Sequence, residues 1–377
     1  MFLEEAPDEF PAPLRSCPVM GSGEQLTDLR GESAFAALVE RHRGELQVHC
    51  YRMLGSFEES EDLVQETFLR AWRKRASFGS DGRTSFRAWL YRIATNACLD
   101  VLRSRPRRVL ASQVAAAGDP AAPPSPPADL PWLQPYPDRL LEPIAPADDE
   151  PGAVVVARET IELAFLAAIQ HLPPRQRAVL ILREVLGWSA KDTASLLEAS
   201  VASVNSALQR ARATLRDHLP ERRTEWTRSS EPGEEERELL RRYVQAHERA
   251  DADALAELLR EDARLTMPPH PTWYAGRKAI LIAARQGFDP EFGRLRTGAA
   301  ANRQPAAAHY LRRPGESEYR PLALDVLRIE GGRVAEITRS SSPGRFRRSA
   351  FRRRCDEVLA DLRCRCQTAI RYQGDPR

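Results

Sequence analysis

The chain has 377 residues, of which 42% are hydrophobic and 29% charged, enough for two or three domains with packed cores. No apolar run is long enough to span a membrane, and the acidic N-terminus lacks the basic and apolar segments of a signal peptide, so we predict a cytoplasmic protein that contacts no membrane. The net charge is +3, but the segment 341–377 has ten arginines against four acidic residues, a net of +6. Residues 1–340 therefore have a net charge of −3, so nucleic-acid binding by them would require local basic patches.

The segment 28–108, which follows a predicted disordered extension over 1–27, has the periodicity of three helices. In AFAALVERHRGELQVHCYRMLG the apolar residues recur at helical spacing, which predicts an amphipathic helix that ends at Gly55. His49 lies on the apolar stripe, where a core histidine is more common than a ligand. Ser56 and Glu59 form a capping-box pattern that begins the next helix.

The second helix, SFEESEDLVQETFLRAWRKR, has two faces. One is apolar, which predicts burial in the bundle. The other face consists of residues spaced three and four apart, namely Asp62, Gln65, Glu66 and Leu69. A solvated acidic face and a protein-binding face both fit this pattern.

The third helix, SFRAWLYRIATNACLDVLRSR, ends in a basic cluster of Arg103, Arg105, Arg107 and Arg108. Cations in such a cluster suit DNA phosphates. The aromatic residues Phe86 and Trp89 belong to the apolar set of this helix, which favours the core of the bundle for both.

A proline-rich, acidic linker is predicted over 109–152. Between Asp119 and Glu150 it contains seven acidic residues and one arginine, so it cannot bury enough apolar surface to fold alone. Its apolar patch LPWLQPY, residues 130–136, is of the kind that docks onto another surface, although some such patches are merely exposed.

The segment 153–220 predicts a helix-turn-helix. A helix ends at Gly187, Ser189 caps a short helix, and a tight turn at 199–200 leads to a last helix that starts near Val201. Opposite its apolar stripe, this helix has residue types that reach base edges in a major groove, namely Ser203, Asn205, Ser206, Gln209 and Arg210. Arg212 suits a phosphate. A solvated amphipathic helix in a bundle is the alternative.

Together, SFEESEDLVQETFLRAWR, FRAWLYRIATNACLDVLR and LPPRQRAVLILREVLGWSAKDTASLLEASVASVNSALQRARATL resemble sigma-70 family factors of the extracytoplasmic-function type. The resemblance covers both characteristic domains of that family, in order, over about half the chain. It implies two all-α domains that bind RNA polymerase core and promoter DNA, with no metal and no cofactor.

The resemblance also implies roles for particular residues. The face of Asp62, Gln65, Glu66 and Leu69 would grip the clamp of the polymerase β′ subunit. The third helix would hold the melted minus-ten strand through Trp89, Arg92, Asn96, Arg103 and Arg107. The minus-thirty-five element would be read by Ser203, Asn205, Ser206, Gln209, Arg210 and Arg212. The linker would thread the polymerase cleft as a nucleic-acid mimic, with plain tethering as the alternative.

The segment 234–340 resembles the SnoaL-like proteins, a cone-shaped α+β fold with a central pocket. A pair of strands, LALDVLRI and RVAEITR, is joined across Gly331 and Gly332, which predicts a hairpin. Sigma factors with such a domain, and with a linker patch similar to WLQPYPD, form a subgroup like the SigG-like factors of actinobacteria. After Arg339 the chain departs from this pattern into an arginine-rich tail over 341–377. We expect a multi-domain protein, two all-α domains followed by one α+β domain, whose last domain regulates it and has room for an unknown small ligand.

Two other functions fit parts of the sequence. A helix-turn-helix regulator would use only 153–220 and leave the first three helices unexplained. A SnoaL-type enzyme would need an acid or base, for which Asp262, His270 and His309 are candidates, but no spacing singles them out and fold does not imply function. The six cysteines lack the paired C-x-x-C spacing of a zinc site. We therefore predict a sigma factor and not an enzyme.

Overall fold

The computed structural model describes residues 32–78, 85–104, 108–141, 162–218, 233–286 and 293–341. The predicted N-terminal extension, most of the arginine-rich tail and the end of the linker therefore lie outside the described residues. None of the described helices combines the length and hydropathy that crossing a bilayer requires.

The first three helices form a bundle, the first helical unit. They are α1 (Glu32–Leu54), α2 (Phe57–Lys74) and α3 (Phe86–Ser104). Gly55 ends α1 with a φ of +69°, and the Ser56 hydroxyl accepts a hydrogen bond from the backbone N–H of Glu59, which begins α2 as predicted. His49 is fully buried, and its Nε2 lies 2.9 Å from the Thr95 hydroxyl. His49 is thus a core histidine, as its position on the apolar stripe indicates.

The linker packs along the other units. It contains a short helix, α4 (Ala111–Val114), and one turn of 3-10 helix over Asp138–Leu140. Trp132, Leu133 and Tyr136 of the predicted apolar patch are buried. The patch therefore docks, and the partner onto which it docks is the rest of the chain.

The second helical unit consists of α5 (Leu163–Ile169), α6 (Pro174–Leu180), a π-helical turn (Ile181–Val185), α7 (Ala190–Leu196) and α8 (Val201–His218). The hydroxyl of Ser189 accepts from the backbone N–H of Asp192 and begins α7. A tight turn, in which Glu198 has a φ of +51°, leads to α8. This short helix, turn and longer helix form the predicted helix-turn-helix.

The C-terminal unit is a six-stranded sheet whose own helices pack on one face, named the concave face, while the opposite face is named the convex face. Its helices are α9 (Glu234–Glu248), α10 (Ala252–Leu258) and α11 (Arg277–Gln286). Its strands are β1 (Leu259–Thr266), β2 (Trp273–Ala275), β3 (Gly293–Ala301), β4 (Gln304–Arg312), β5 (Arg320–Glu330) and β6 (Arg333–Ser340). The strand order is β2-β1-β6-β5-β4-β3, and only β1 and β6 run parallel.

Two tight turns set the register of this sheet. The predicted β5–β6 hairpin turns at Gly331 and Gly332, and the β3–β4 hairpin turns at Asn302 and Arg303. All four residues have a φ between +56° and +71°, as two-residue hairpins of the right-handed twist require. Glycine adopts this φ without strain, whereas Arg303 is held in it against its own preference.

The convex face of the sheet joins the core of the helical units. Ala306, Leu324 and Val326 are buried in the same apolar cluster as α1–α3, the linker patch and α5–α8. A second cluster fills the concave side, between the sheet and α9–α11. The two faces of the same strands thus belong to two different cores.

Acid should destabilise this fold, because burial lowers the pKa of His49 from an ordinary value of 6.5 to about 3. Above pH 6.5 the ring is neutral in both folded and unfolded chains. As the pH falls from 6.5 towards 3, only the unfolded chain takes up the proton, so stability is lost over this window. By pH 5 the loss is about 2 kcal/mol for each such histidine.

The variant His49→Gln keeps a side-chain nitrogen near the Thr95 hydroxyl and removes the titrating ring. We expect urea unfolding of this variant to lose less stability between pH 7 and pH 5 than the parent chain does. Burial also lowers the pKa of His247 to about 3. The variant should therefore still lose some stability as the pH falls. An identical pH dependence in parent and variant would contradict the prediction.

Candidate polymerase and promoter interfaces

The predicted polymerase-binding face is on the surface of α2. Asp62 and Gln65 are exposed, Glu66 is half-exposed, and 52% of the Leu69 surface is accessible. The opposite side of α2 buries Leu63, Val64, Thr67 and Ala71 in the bundle. The outward side chains are therefore not needed for the core of the bundle.

This face is electronegative and has an apolar centre. Burial, together with the neighbouring Asp62 and Glu58 carboxylates, raises the pKa of Glu61. Arg70 donates a hydrogen bond of 2.8 Å to the Glu66 carboxylate one helical turn away. A face that combines the exposed Leu69 with the carboxylates of Asp62 and Glu66 suits a protein surface better than it suits nucleic acid, whose phosphates the carboxylates would repel.

The predicted minus-ten residues fall on one outward side of α3. Arg92, Asn96 and Arg103 are exposed, and Arg103 is paired with Asp100 at 2.9 Å. Trp89 is half-buried, with its ring centroid 5.2 Å from that of Phe78 and 5.7 Å from that of Phe86. Phe86 is buried, as expected for a core residue, whereas Trp89 keeps part of its ring accessible. Arg107 lies outside the described residues.

One member of the basic cluster has a different place from the one that the sequence indicates. Arg108, whose side chain is 12% accessible, contacts the Glu59 carboxylate and donates to the carbonyls of Leu54 and Trp132. Its guanidinium therefore joins the linker to the first helical unit, and in this conformation it does not face a DNA phosphate.

The predicted minus-thirty-five residues lie on the exposed surface of α8. The buried stripe is Val204, Leu208, Ala211 and Leu215. The exposed residues are Ser203, Asn205, Ser206, Gln209, Arg210 and Arg212. Arg212 lies beside the stripe and pairs with Glu184 at 2.5 Å, so its direction is set within the molecule.

The two helical units pack directly against each other. The guanidinium of Arg92 lies 2.5 Å from the carboxylate of Glu198, in the turn of the helix-turn-helix. The rings of Tyr91 and Trp188 are in contact nearby, with their centroids 5.4 Å apart and their planes tilted by 54°. Arg92, which is predicted to contact the minus-ten element, is thus paired with an acidic residue of the predicted helix-turn-helix.

Arg177 lies at the centre of this junction and is 2% exposed. It donates to the carbonyl of Met53 at the end of α1, and to the carbonyls of Gln170 and Leu172 in its own unit. A cation among the last carbonyls of a helix is electrostatically favourable. The sequence did not single out Arg177, because only the packing of two units brings these carbonyls together.

The β3–β4 turn is the point at which all units meet. The backbone N–H and carbonyl of Tyr136 pair with the Asn302 side chain and backbone at 2.8 and 2.9 Å, and Asn302 Nδ2 donates to the Tyr51 hydroxyl. The backbone N–H of Arg303 donates to Asp138, and that of Leu163 donates to the Gln304 side chain. This two-residue turn holds the first helical unit and the linker, and Gln304, the first residue of β4, holds the start of the second unit.

Farther along, the linker follows the rim of the C-terminal unit. Gly118 and Ala128 donate backbone hydrogen bonds to the carbonyls of Trp273 and Pro269, and the Trp273 indole donates to the carbonyl of Ala115. The linker is therefore held at both ends of its described course.

The three residues considered for catalysis do not converge. Asp262 is exposed on β1 and paired with Arg260, His270 lies in the β1–β2 loop against the carbonyl of Ser125, and His309 is buried on β4. Within the described ranges, no group of three His, Cys, Asp or Glu side chains is arranged to hold a metal ion.

Comparison with known families agrees with this arrangement. Residues 38–108 match the model for Sigma-70 region 2, residues 162–215 that for Sigma-70, region 4, and residues 240–337 that for the SnoaL-like domain. The three matches correspond to the two helical units and the C-terminal unit, in the predicted order.

Individual relatives extend over most of the chain. It is 42% identical to the ECF RNA polymerase sigma factor SigG of Mycobacterium tuberculosis over 323 residues, 84% of this chain and 83% of that protein. It is 31% identical to the ECF RNA polymerase sigma factor SigW of Bacillus subtilis over 189 residues, half of this chain and 90% of that protein.

The crystal structure of the Mycobacterium tuberculosis extracytoplasmic function sigma factor SigJ has the same fold. It superposes with a TM-score of 0.51 at 19% identity, and the match covers 82% of this chain and 97% of that one. The predicted architecture of two helical domains followed by an α+β domain is confirmed. From its family matches and its identity to SigG over most of both chains, this protein belongs to the extracytoplasmic-function sigma factors and directs the initiation of transcription.

Proposed function

We propose that this sigma factor binds RNA polymerase core through the exposed face of α2 and holds promoter DNA with α3 and α8. We further propose that the SnoaL-like domain keeps it in a closed, inactive arrangement until it opens. The ion pair between Arg92 and Glu198 carries this proposal, because it joins the two helical units and occupies Arg92, which the first unit would need for DNA. Action on RNA polymerase would place the protein in the cytoplasm.

The length of a promoter supports a closed arrangement that must open. The minus-ten and minus-thirty-five elements are about 25 base pairs apart by position, which is about 85 Å of duplex DNA. Here, α3 and the turn before α8 are in contact. Both elements can be bound at once only if the two helical units separate, and the linker that joins them must then extend.

The C-terminal domain is positioned to oppose that extension. It holds the linker at Tyr136 and Asp138 through the β3–β4 turn, and at Ala115 through Trp273. Release of the linker exposes the buried patch of Trp132, Leu133 and Tyr136 unless another surface covers it. In the proposed function, the polymerase provides that surface.

The face of α2 is tested by Glu66→Arg. The substitution reverses a half-exposed charge on the face of Leu69, so we expect polymerase core binding to weaken by at least about tenfold while the circular dichroism spectrum and melting temperature stay unchanged. Glu257→Arg, a charge reversal at an exposed site of the C-terminal domain, is the matched control. Normal core binding and run-off transcription by Glu66→Arg would reject this face.

The reading helix is tested by comparing Arg210→Ala with Arg216→Ala. Arg210 lies where a base edge would be read, so its loss should reduce discrimination between cognate and mismatched minus-thirty-five elements by about 1–3 kcal/mol. Arg216, farther along α8, should act on all sequences alike and lower the salt dependence of binding. If Arg210→Ala lowers affinity uniformly, Arg210 contacts phosphates and does not read bases.

The closed arrangement is tested by Asn302→Ala. This change removes the side-chain hydrogen bonds to Tyr136 and Tyr51, at a cost of about 1–3 kcal/mol, and so favours the open form by about 5- to 150-fold. We expect faster amide exchange over 132–138 and more run-off transcription from core polymerase.

Gly331→Asn is the control for this variant, because it alters the other two-residue turn of the sheet, where an added Cβ meets no neighbour within 4 Å. Asparagine tolerates the φ of that position. If Asn302→Ala speeds exchange in the linker without raising transcription, the linker is released but the domain does not restrain initiation.

A further inference from the structure

The exposed face of α8 begins with a stretch of uncharged side chains. Up to position 209 its exposed residues are Val201, Ala202, Ser203, Asn205, Ser206 and Gln209, and arginines follow at 210, 212 and 216. Attraction to DNA phosphates comes mainly from cations and carries no sequence information. The first part of α8 therefore lacks the groups that give affinity for any DNA, and its side chains suit contacts to base edges.

Two residues of this stretch, Asn205 and Gln209, have primary amides. They are four residues apart on the helix, which places them on the same side and about 6 Å apart along its axis. Both side chains are exposed, and among the described residues neither amide has a hydrogen-bonding partner. In contrast, Arg212 on the same helix is paired with Glu184. The two amides are thus available to another molecule.

Most exposed neighbours of the two amides are small, namely Ala202, Ser203 and Ser206. The larger neighbours Val204 and Leu208 are buried in the core of the unit. An asparagine side chain is short, so it reaches a base only when the helix backbone comes close to the floor of the groove. Small neighbours permit that approach, which a ring of long side chains would prevent.

The chemistry of an amide matches one base better than the others. Its oxygen accepts a hydrogen bond and its nitrogen donates. In the major groove, adenine presents a donor at N6 beside an acceptor at N7, whereas guanine presents two acceptors, N7 and O6. An amide can therefore form two hydrogen bonds with adenine. A guanidinium only donates, so Arg210 suits guanine.

We propose that Asn205 and Gln209 are specificity-determining residues and that each binds one adenine of the minus-thirty-five element in the major groove. The 6 Å rise between them corresponds to about two base pairs at about 3.4 Å each, when the helix follows the groove. The two adenines therefore lie about two base pairs apart, and a guanine for Arg210 lies next to the second. This inference rests on the proposed function, because it names the bases that the reading helix recognises.

The test combines RNA polymerase core with the full chain and a promoter library randomised over the minus-thirty-five region, with a barcode in each transcribed sequence. We expect adenine to be preferred about 5- to 150-fold at two positions about two base pairs apart. An enriched element without adenine at such positions would overturn the assignment of bases and leave the sigma activity standing. The absence of transcripts from every promoter would overturn the proposed function, and this inference with it.

Variants then connect each adenine with its amide. Asn205→Ala should abolish the preference at one position, and Gln209→Ala should abolish it at the other. Gln209→Arg should change the preferred base at its position from adenine to guanine, which a merely structural role would not do. Asp217→Ala, at an exposed site near the end of the same helix, is the matched control and should select the parent element. Lower transcription by both alanine variants with an unchanged preferred sequence would place the amides on phosphates or sugars and overturn the proposal.

The hydrogen bonds are tested on the DNA itself. 7-Deazaadenine lacks the N7 acceptor but still pairs with thymine, so at either adenine it should lower transcription with the parent chain by at least about fivefold. The same replacement should have no further effect with the alanine variant whose amide would face that adenine. An effect of equal size in parent and variant would assign the contact to another residue and overturn the proposal.

Discussion

The docking of the convex sheet face against the helical units is the contact on which the whole arrangement depends. The linker patch alone is too small and too rich in proline to fold, and it is buried only because the sheet lies on one side and α1 on the other. The β3–β4 turn completes this contact with backbone hydrogen bonds to the linker, which no substitution of the linker side chains would remove directly. Without the sheet, Tyr136 would keep its ring contacts with Tyr51 and Phe57 but would lose the Asn302 partners of its backbone N–H and carbonyl.

The free energies expected for the individual contacts indicate which of them hold the closed form together. The pairs Arg92–Glu198 and Arg212–Glu184 are largely exposed, and such pairs contribute at most about 1 kcal/mol each. DNA phosphates can therefore displace these acidic residues readily. The buried contacts at Asn302, Tyr51 and Arg177 cannot be exchanged for water so cheaply. The exposed pairs thus occupy two arginines that are proposed to bind DNA, whereas the buried contacts keep the units together.

Each central strand of the C-terminal domain has charged side chains on one face and apolar side chains on the other. Side chains that point to the concave side form a charged cluster in an apolar space, and their immediate neighbours in sequence form part of the sigma core. Successive side chains of a strand point to opposite faces of the sheet. Any shift of the strand therefore moves the side chains on both faces together. In the proposed function, this alternation lets the SnoaL-like domain influence the sigma domains without catalysis.

The sequence by itself determined the family, the order of the domains and the outward faces of α2, α3 and α8. Local signals carry that information: helical spacing, the caps at Ser56 and Ser189, and the turn glycines at 331 and 332 depend on residues close in the chain. Only the tertiary structure decided that Arg108 binds the linker, that Glu198 covers Arg92, and that Asn302, Tyr51 and Tyr136 meet. It also brought Asp325 and Arg339 together, although no spacing in the sequence distinguishes them from other acidic and basic residues. These contacts join residues far apart in the chain, so they depend on how whole domains pack, and a burial pattern read along one helix or strand does not specify its distant partner.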